Sequence, residues 1–165
     1  MMATTYIGID PGLDGAMAVL FGLPDSRPII FDTPTLVIGR NGKNKREYNL
    51  REMATRFRPY TFAPVLVYIE QVHSMPGQGV RSMFSMGYGV GAWEGLLAGF
   101  NFSYTRVHPQ RWKKVMLDGM GHDKDAGRLR AMQLFPGIAD QLARKKDDGR
   151  ADALLIAEYG RRLHV

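Results

Sequence analysis

Residues 6 to 12 are Tyr6-Ile7-Gly8-Ile9-Asp10-Pro11-Gly12, an apolar run that ends in an acid and is followed by a turn. A second apolar run, Val65-Leu66-Val67-Tyr68-Ile69, also ends in an acid, Glu70. Short apolar runs bounded by turn residues predict buried strands. Strands that are apolar throughout are typical of a sheet covered on both faces, so two carboxylates are expected at neighbouring strand ends.

The remaining segments predict an α/β fold. Residues 4–9 and 16–21 should form a hairpin around residues 11–15, and residues 28–31 should add a third antiparallel strand. Asn49 can cap a helix from Leu50 to about Arg58. Further strands are predicted at 65–69 and 102–107, and further helices at 80–99, 109–117, 124–135 and 148–162. The order βββαβαβααα predicts a mixed five-stranded sheet flanked by helices.

The composition predicts one globular domain over residues 1–165. Hydrophobic residues make up 45% of the chain and charged residues 23%, which is ordinary for a soluble protein. The absence of cysteine excludes disulfides, a thiolate nucleophile and cysteine-ligated metal. Neither a secretory signal pattern nor a run of 18 apolar residues occurs, so we expect a cytoplasmic protein that is not secreted and has no membrane partner.

The net charge of +6 favours a polyanionic partner, with nucleic acid the first candidate. Part of this charge is concentrated in residues 39–46, where Lys43, Lys45 and Arg46 lie among glycine and asparagine residues. This segment has no apolar anchor. It is expected to be a loop that is either solvated or in contact with phosphate groups.

Four glycines recur every four residues in the predicted helix 80–99, at positions 87, 91, 95 and 99. Each costs about 1 kcal/mol relative to alanine in a helix interior, so the stripe should serve close helix packing. The partner helix could belong to the same chain or to a second subunit. Arg81 and Glu94 argue against packing inside a membrane.

Two further acids, Asp148 and Asp152, are four residues apart and would project from one face of the last helix. They could be an N-terminal cap and a surface residue. However, residues 153–157 (Ala-Leu-Leu-Ile-Ala) predict a buried helix, in which an unpaired Asp152 would be costly. If these acids converge with the two strand ends, they could hold two Mg²⁺ ions for phosphoryl transfer. A basic protein with such a site is expected to cut a phosphodiester.

Three motifs together resemble the RuvC-type Holliday junction resolvases. They are Ile7-Gly8-Ile9-Asp10-Pro11-Gly12, Tyr68-Ile69-Glu70-Gln71, and the string from Lys145 to Ala157, KKDDGRADALLIA. The branch that includes organellar and phage enzymes is the most similar, with a lysine-rich string of this kind. The resemblance covers nearly the whole chain, with the motifs in the family's order and spacing.

This resemblance implies an RNase H-like fold and a homodimer that nicks two opposing strands of four-way junction DNA during recombination and repair. It implies Mg²⁺ or Mn²⁺, two ions per site, held by an acidic tetrad at Asp10, Glu70, Asp148 and Asp152. Asp147 is an alternative third acid, but it stands five residues from Asp152, a spacing at which helical side chains diverge. A cytoplasmic enzyme of bacterial or phage origin, or one of an organellar matrix, is expected.

Basic residues are expected around these acids. The resemblance implies that Lys113, Lys114 and Lys124 lie near the scissile phosphate. Arg111 and Trp112 extend the first two into a basic cluster with an aromatic, either a backbone-contacting surface or a solvated helix face. Lys124 could stabilise charge in the transition state or pair with a neighbouring aspartate.

The segment after Glu70 could contact bases. Gln78, Arg81 and Phe84 follow that acid, and an exposed aromatic there could wedge into the junction centre. Alternatively, Phe84 and Met75 are buried. His73 and His108 are expected to be structural.

Three other functions fit parts of the sequence. An RNase H-like nuclease could act on an RNA–DNA hybrid or another branched DNA. A sugar-kinase or actin-like ATPase would need a second lobe, for which 165 residues leave no room. A catalytically silent DNA-binding module would be expected to lack one of the acids, and all four are present.

Overall fold

The computed structural model describes residues 3–23, 26–40, 42–121 and 123–164. Within these ranges, seven strands and five α-helices follow one another. The strands are β1 (Thr5–Asp10), β2 (Ala16–Phe21), β3 (Ile29–Asp32), β4 (Thr35–Arg40), β5 (Lys43–Tyr48), β6 (Val65–Glu70) and β7 (Tyr104–Val107). The helices are α1 (Leu50–Phe57), α2 (Val80–Gly99), α3 (Pro109–Met116), α4 (Ala126–Leu134) and α5 (Asp148–Arg162), and short 3₁₀ turns cover Arg58–Tyr60, Pro136–Leu142 and Lys145–Asp147.

The predicted mixed sheet of five strands is confirmed, in the order β3-β2-β1-β6-β7. The first three strands are antiparallel, and the register places Tyr6 opposite Leu20. Strands β6 and β7 run parallel to β1. Since β1 and β6 are parallel neighbours, Asp10 and Glu70 lie at the same edge of the sheet.

Both faces of the sheet are buried, as the apolar strands predict. On one face, Ile7 and Ile9 pack with Phe57 of α1 and Trp93 of α2. On the other face, alanines of β2 pack against the apolar run 153–157 of α5. This packing fixes the position of α5 on the sheet, and thereby the position of Asp148 and Asp152 near the N-terminal end of that helix.

Close packing of α5 on β1 depends on Gly8. A Cβ added at Gly8 would overlap the carbonyl oxygen of Ala153 and the amide nitrogen of Ala157. The helix backbone therefore lies directly on the strand. Since Asp152 precedes Ala153, this contact brings Asp152 to the end of the strand that carries Asp10.

The basic segment 39–46 is not a loop, and this prediction was wrong. Strands β4 and β5 form a separate antiparallel pair, with Lys43 opposite Arg40 and Tyr48 opposite Thr35. Gly42 has a φ of +73°, a conformation that favours glycine at the turn. The sequence Asn41-Gly42 is a strong hairpin signal that predicts this turn. Among the described residues, five strands rather than three therefore precede the first helix.

Most other boundaries agree with prediction to within two residues. The Asn49 cap is confirmed, because its side chain accepts a hydrogen bond of 3.1 Å from the amide of Glu52. Strand β7 begins at Tyr104 instead of residue 102, and α4 begins at Ala126 instead of Lys124.

The glycine stripe of α2 is open within this chain. A Cβ added at any of the four glycines would meet no atom within 4 Å among the described residues. Two roles were predicted for this face. It does not pack against another helix in the described part of the chain, so one of those two predictions was wrong. None of the described helices has the length and hydrophobicity to span a bilayer.

Candidate active site

Three of the predicted acids converge at one edge of the sheet. Asp10 and Glu70 end the adjacent strands β1 and β6, and Asp152 reaches the same edge from α5. Their charges act on one another, because Asp10 and Glu70 both raise the pKa of Asp152, and Glu70 raises that of Asp10. The convergence predicted from the strand ends is therefore present in the fold.

Burial makes this a demanding place for negative charge. Desolvation, reinforced by Glu70, raises the pKa of Asp10 from 3.8 to about 6. Desolvation likewise raises the pKa of Asp152 from 3.8 to about 7, although Lys113 acts in the opposite direction. Near neutral pH, a substantial fraction of the Asp152 carboxyl and a smaller fraction of the Asp10 carboxyl would be protonated unless a cation compensated their charge.

The donors at this edge are of the kind that hard divalent cations prefer, since all are carboxylate oxygens. Within residues 3–23, 26–40, 42–121 and 123–164, however, no three acidic or histidine side chains are grouped closely enough to hold a metal ion as they stand. The donor chemistry and the burial, which Lys113 compensates only in part, fit a divalent cation, whereas the side-chain arrangement is not that of a closed metal cage.

Glu70 is oriented by Trp112 of α3. The indole Nε1 of Trp112 donates a hydrogen bond of 3.0 Å to Glu70 Oε1, and the ring is completely buried. The interpretation of Trp112 as part of a surface cluster was therefore wrong. Trp112 and Met116 are both buried and lie four residues apart on α3, a spacing that could have indicated an inward-facing side.

The basic residues of α3 are exposed, and one of them also reaches the acids. Arg111, Lys113 and Lys114 are exposed, as a DNA-contacting surface requires. Lys113 also extends to the acids, where its Nζ lies 3.9 Å from Asp152 Oδ2. Lys124 is exposed in the turn before α4 and forms no ion pair with any of the four acids in the described part of the chain.

The two candidates for the third acid differ sharply. Asp147 is 2% exposed, and both the amide and the guanidinium of Arg144 donate to it, which lowers its pKa. Asp148 is 63% exposed and lies 2.8 Å from Nε of Arg128. Asp147 is therefore committed to capping, while Asp148 remains accessible at the mouth of the site.

Arg128 was not among the predicted site residues. Its side chain is buried in α4, and besides Asp148 it contacts Asp125 and the carbonyl oxygen of Ala143 at 3.2 Å. A lone arginine in a helical segment gives no sequence signal that it will pair with Asp148, because Asp148 lies on a different helix.

An open cleft of about 810 Å³ adjoins the acids. Asp10, Asp148 and Asp152 line it, and basic residues, including Arg46, Lys145 and Lys146, lie around them. Such a cleft can admit a phosphodiester backbone while its rim offsets the phosphate charge.

Of the other predicted DNA-contacting residues, Lys45, Arg81 and Phe84 line a smaller pocket that shares Leu13 and Arg46 with this cleft. Lys43, Lys45 and Arg46 are exposed on β5. Lys45 forms an ion pair of 3.0 Å with Glu47, and Arg46 forms one of 2.6 Å with Asp14. On α2, Arg81 is exposed and Phe84 is 76% exposed, so the alternative of a buried Phe84 was wrong, as it was for Met75. Gln78 is partly buried in the turn before α2, where its Oε1 accepts a hydrogen bond of 3.2 Å from the amide of Met75.

Comparisons with known proteins show what this fold and part of this sequence are similar to. No protein-family model matches the chain. A segment of 92 residues, 56% of this chain, is 38% identical to the chloroplastic Holliday junction resolvase MOC1 of Chlamydomonas reinhardtii. The match spans only 10% of the length of that relative.

The structure of T. thermophilus RuvC in complex with a Holliday junction substrate matches 99% of this chain and 96% of its own, with a TM-score of 0.59 and 14% identity. A second Thermus thermophilus RuvC structure gives a TM-score of 0.49 at 19% identity. The first match confirms the predicted RNase H-like fold. The predicted resemblance to the RuvC-like resolvases is confirmed, by fold in one comparison and by a sequence segment in the other.

Proposed function

We propose that this chain is a structure-specific DNA endonuclease that resolves four-way junctions. The observation that carries the proposal is the convergence of Asp10, Glu70 and Asp152 at one sheet edge, beside a cleft with a basic rim. The name of the MOC1 relative and the junction substrate of the RuvC structure support the choice of DNA substrate. An organellar location has support from the same relative, which is chloroplastic.

Divalent cations, two per site, are part of the proposal, with Mg²⁺ or Mn²⁺ as the ion. Asp10, Glu70, Asp148 and Asp152 would hold them, and Asp148 would then exchange Arg128 for a cation. When bound, such ions activate a water molecule and stabilise the leaving oxygen of the phosphodiester. The protein would bury the carboxylates and orient Glu70 through Trp112. Asp147 would not bind a cation, because its carboxylate accepts a hydrogen bond from the amide of Arg144.

The basic side chains have two proposed roles. Lys43, Lys45, Arg46, Arg111 and Lys114 would contact phosphate groups, with Arg81, Gln78 and Phe84 nearer the bases. Lys113 and Lys124 would stabilise the charge that develops at the scissile phosphate. Lys113 is the better placed of the two, because its Nζ lies 3.9 Å from Asp152 Oδ2. Their removal should change affinity and rate to different degrees.

Cleavage assays on defined substrates test the proposal directly. An immobile four-way junction, the matching linear duplex and an RNA–DNA hybrid are compared in Mg²⁺, with products mapped on every strand. We expect paired nicks at symmetric positions in the junction and little cutting of the others. Preferential cleavage of the hybrid would support the alternative of an RNase H-like nuclease with a different substrate.

Removing the indole donor beside Glu70 should slow cleavage selectively. Trp112→Phe keeps an apolar ring and deletes the bond to Glu70, so we expect a roughly tenfold lower rate, equivalent to about 1.4 kcal/mol. Trp93→Phe is the matched control, because Trp93 is equally buried and its Nε1 has no partner among the described residues. Single-turnover rates and urea denaturation are measured. Equal rates in the two variants would count against the role of Trp112.

A homodimer would supply two sites for paired cuts, and we propose that the α2 face of Gly87, Gly91, Gly95 and Gly99 forms its interface. The face is exposed, and its glycines leave room for a second helix. Gly91→Leu should weaken dimerisation about tenfold or more, the equivalent of roughly 1.4 kcal/mol of steric cost. Sedimentation equilibrium measures this. Gly137→Leu is the control, since a Cβ there also meets open space on another surface.

A further inference from the structure

Two side chains of β5 hold the turn that follows Asp10. Arg46 and Tyr48 are two residues apart and so point to the same side of the strand. Arg46 binds Asp14 Oδ1 at 2.6 Å and donates to the carbonyl oxygen of Leu13 at 2.5 Å. Tyr48 donates its hydroxyl to the carbonyl oxygen of Pro11 at 3.2 Å. The β4–β5 hairpin is therefore attached to the turn at three points.

The bond from Tyr48 ends on a peptide group that also touches Asp10. Pro11 supplies the carbonyl of the Pro11–Gly12 peptide, and Gly12 supplies its amide. That amide donates to Asp10 Oδ1 at 3.4 Å. Because a peptide group is planar and rigid, fixing its carbonyl also fixes the direction of its N–H. The orientation of the Asp10 carboxylate is thus linked to the Tyr48 hydroxyl through one peptide plane.

The hydroxyl of Tyr48 is itself seated in a notch on α2. Gly89 is buried there, and a Cβ at this position would overlap the Oη and Cζ atoms of Tyr48 and lie 2.9 Å from the Pro11 carbonyl oxygen. This is a buried glycine on a helix whose other glycines face open space. The notch places the phenol end of Tyr48 between α2 and the turn.

The hydroxyl keeps its proton under working conditions. Desolvation, with contributions from Asp10 and Asp14, raises the pKa of Tyr48 to about 12. A protonated hydroxyl can only satisfy the Pro11 carbonyl as a donor.

We propose that Tyr48 is a positioning residue for Asp10, acting through the Pro11–Gly12 peptide and seated by Gly89. The inference rests on the proposed function, in which Asp10 holds a cation. Tyr48 touches neither substrate nor cation in this role. The β4–β5 hairpin would then have a second role besides DNA contact. Tyr48 of β5 packs against Gly89 of α2 and bonds to Pro11, so it connects α2 to the turn after Asp10.

The test compares Tyr48→Phe with Tyr60→Phe. Tyr60 is a matched control, since it is equally buried, has a raised pKa caused by desolvation, and lies in the 3₁₀ turn after α1, away from the acids. Phenylalanine preserves the ring at both positions. In metal-free protein, NMR should show a shifted Gly12 amide proton and a several-fold faster Gly12 amide exchange in Tyr48→Phe, of the order expected for one lost hydrogen bond. Tyr60→Phe should leave both unchanged.

Cleavage gives the second readout. For Tyr48→Phe we expect about a tenfold lower single-turnover rate on the junction and a higher Mg²⁺ concentration for half-maximal rate, with an unchanged Kd for the uncut junction in Ca²⁺. Gly89→Ala, which displaces the Tyr48 hydroxyl from the other side, should reproduce this pattern. Thermal melting checks that each variant is folded.

Each result decides the matter. An unchanged Gly12 amide in Tyr48→Phe would overturn the peptide route, and a rate and Mg²⁺ dependence equal to those of Tyr60→Phe would overturn the positioning role. If the wild-type protein cuts no junction, the proposed function fails on that result alone. The Gly12 amide would then still show whether Tyr48 orients the turn.

Discussion

Asp152→Asn is expected to leave junction binding intact and to lower cleavage at least about a hundredfold, equivalent to roughly 3 kcal/mol of transition-state stabilisation. Asparagine retains the size of the side chain but not the charge that would hold a cation. The surrounding lysines and arginines, which would bind the phosphates, are unchanged. Binding in Ca²⁺ and single-turnover cleavage in Mg²⁺ measure the two effects separately.

Asp140→Asn is the control, because Asp140 is exposed in the 3₁₀ turn Pro136–Leu142, away from the acids. It should bind and cut like the wild type. Normal cutting by Asp152→Asn would remove Asp152 from the site.

The same variant should be more stable than the wild type in metal-free buffer at high pH. The folded protein holds the Asp152 proton up to about pH 7, whereas an unfolded chain releases it near 3.8. The wild-type free energy of unfolding therefore falls as pH rises from 4 through 7. Asparagine lacks this titration, so the gain at pH 8 should be about 2 kcal/mol, less than the full pKa difference implies, because the carboxyl keeps some contact with water.

Urea denaturation at pH 4 and pH 8, with EDTA, measures this difference. The gain should be largely lost at pH 4, where the folded wild type also carries a neutral side chain at position 152. Added Mg²⁺ should stabilise the wild type more than the variant, because a ligand stabilises the state that binds it. A gain that is independent of pH would show that Asp152 is not a buried, uncompensated acid.

Gly8→Ala is expected to lower the free energy of unfolding by about 3 kcal/mol, at the upper end of the range for overpacked cores. The new methyl group would meet the backbone of α5 at Ala153 and Ala157, and backbone atoms cannot rotate away as a side chain can. The helix must shift from β1. Because Asp152 precedes Ala153, the shift should also slow cleavage in the fraction that remains folded.

Gly39→Ala is the matched control in another strand. A Cβ there would lie 3.8 Å from Asn44 Oδ1, an ordinary contact distance. Its effect on urea denaturation should be within about 0.5 kcal/mol, as for most surface substitutions. If Gly8→Ala were equally mild, α5 would not be held to β1 by this close contact.

The acids were predictable because their signals are local. Each of Asp10 and Glu70 interrupts an apolar run at a turn, and Asp152 interrupts the apolar stretch of a helix. An acid at such a boundary is conspicuous within a window of a few residues. Parallel strands place their carboxyl ends at one edge of a sheet, so the two acids were expected to be neighbours if their strands were adjacent.

Other residues were missed because their partners are distant in the chain. Trp112 is 42 residues from Glu70, and Tyr48 is 37 residues from Pro11. A tryptophan within a basic run, or a tyrosine at the end of a polar one, carries no local indication of such a contact. The wrong prediction of a loop at residues 39–46 has another cause. The Asn41-Gly42 pair is a local signal for a hairpin turn, whereas the loop was inferred from the lack of apolar residues in the segment.

The sequence by itself determined the α/β class, the sheet of five strands and the identity of the acids at its edge, because these depend on hydrophobic periodicity and turn chemistry within short segments. Only the tertiary structure decided which acid is accessible at the site and which is a buried cap. Asp147 and Asp148 are adjacent and chemically identical, and what separates them is Arg144 on one side and the buried Arg128 on the other. That difference depends on how α4 and α5 pack, which no local pattern encodes.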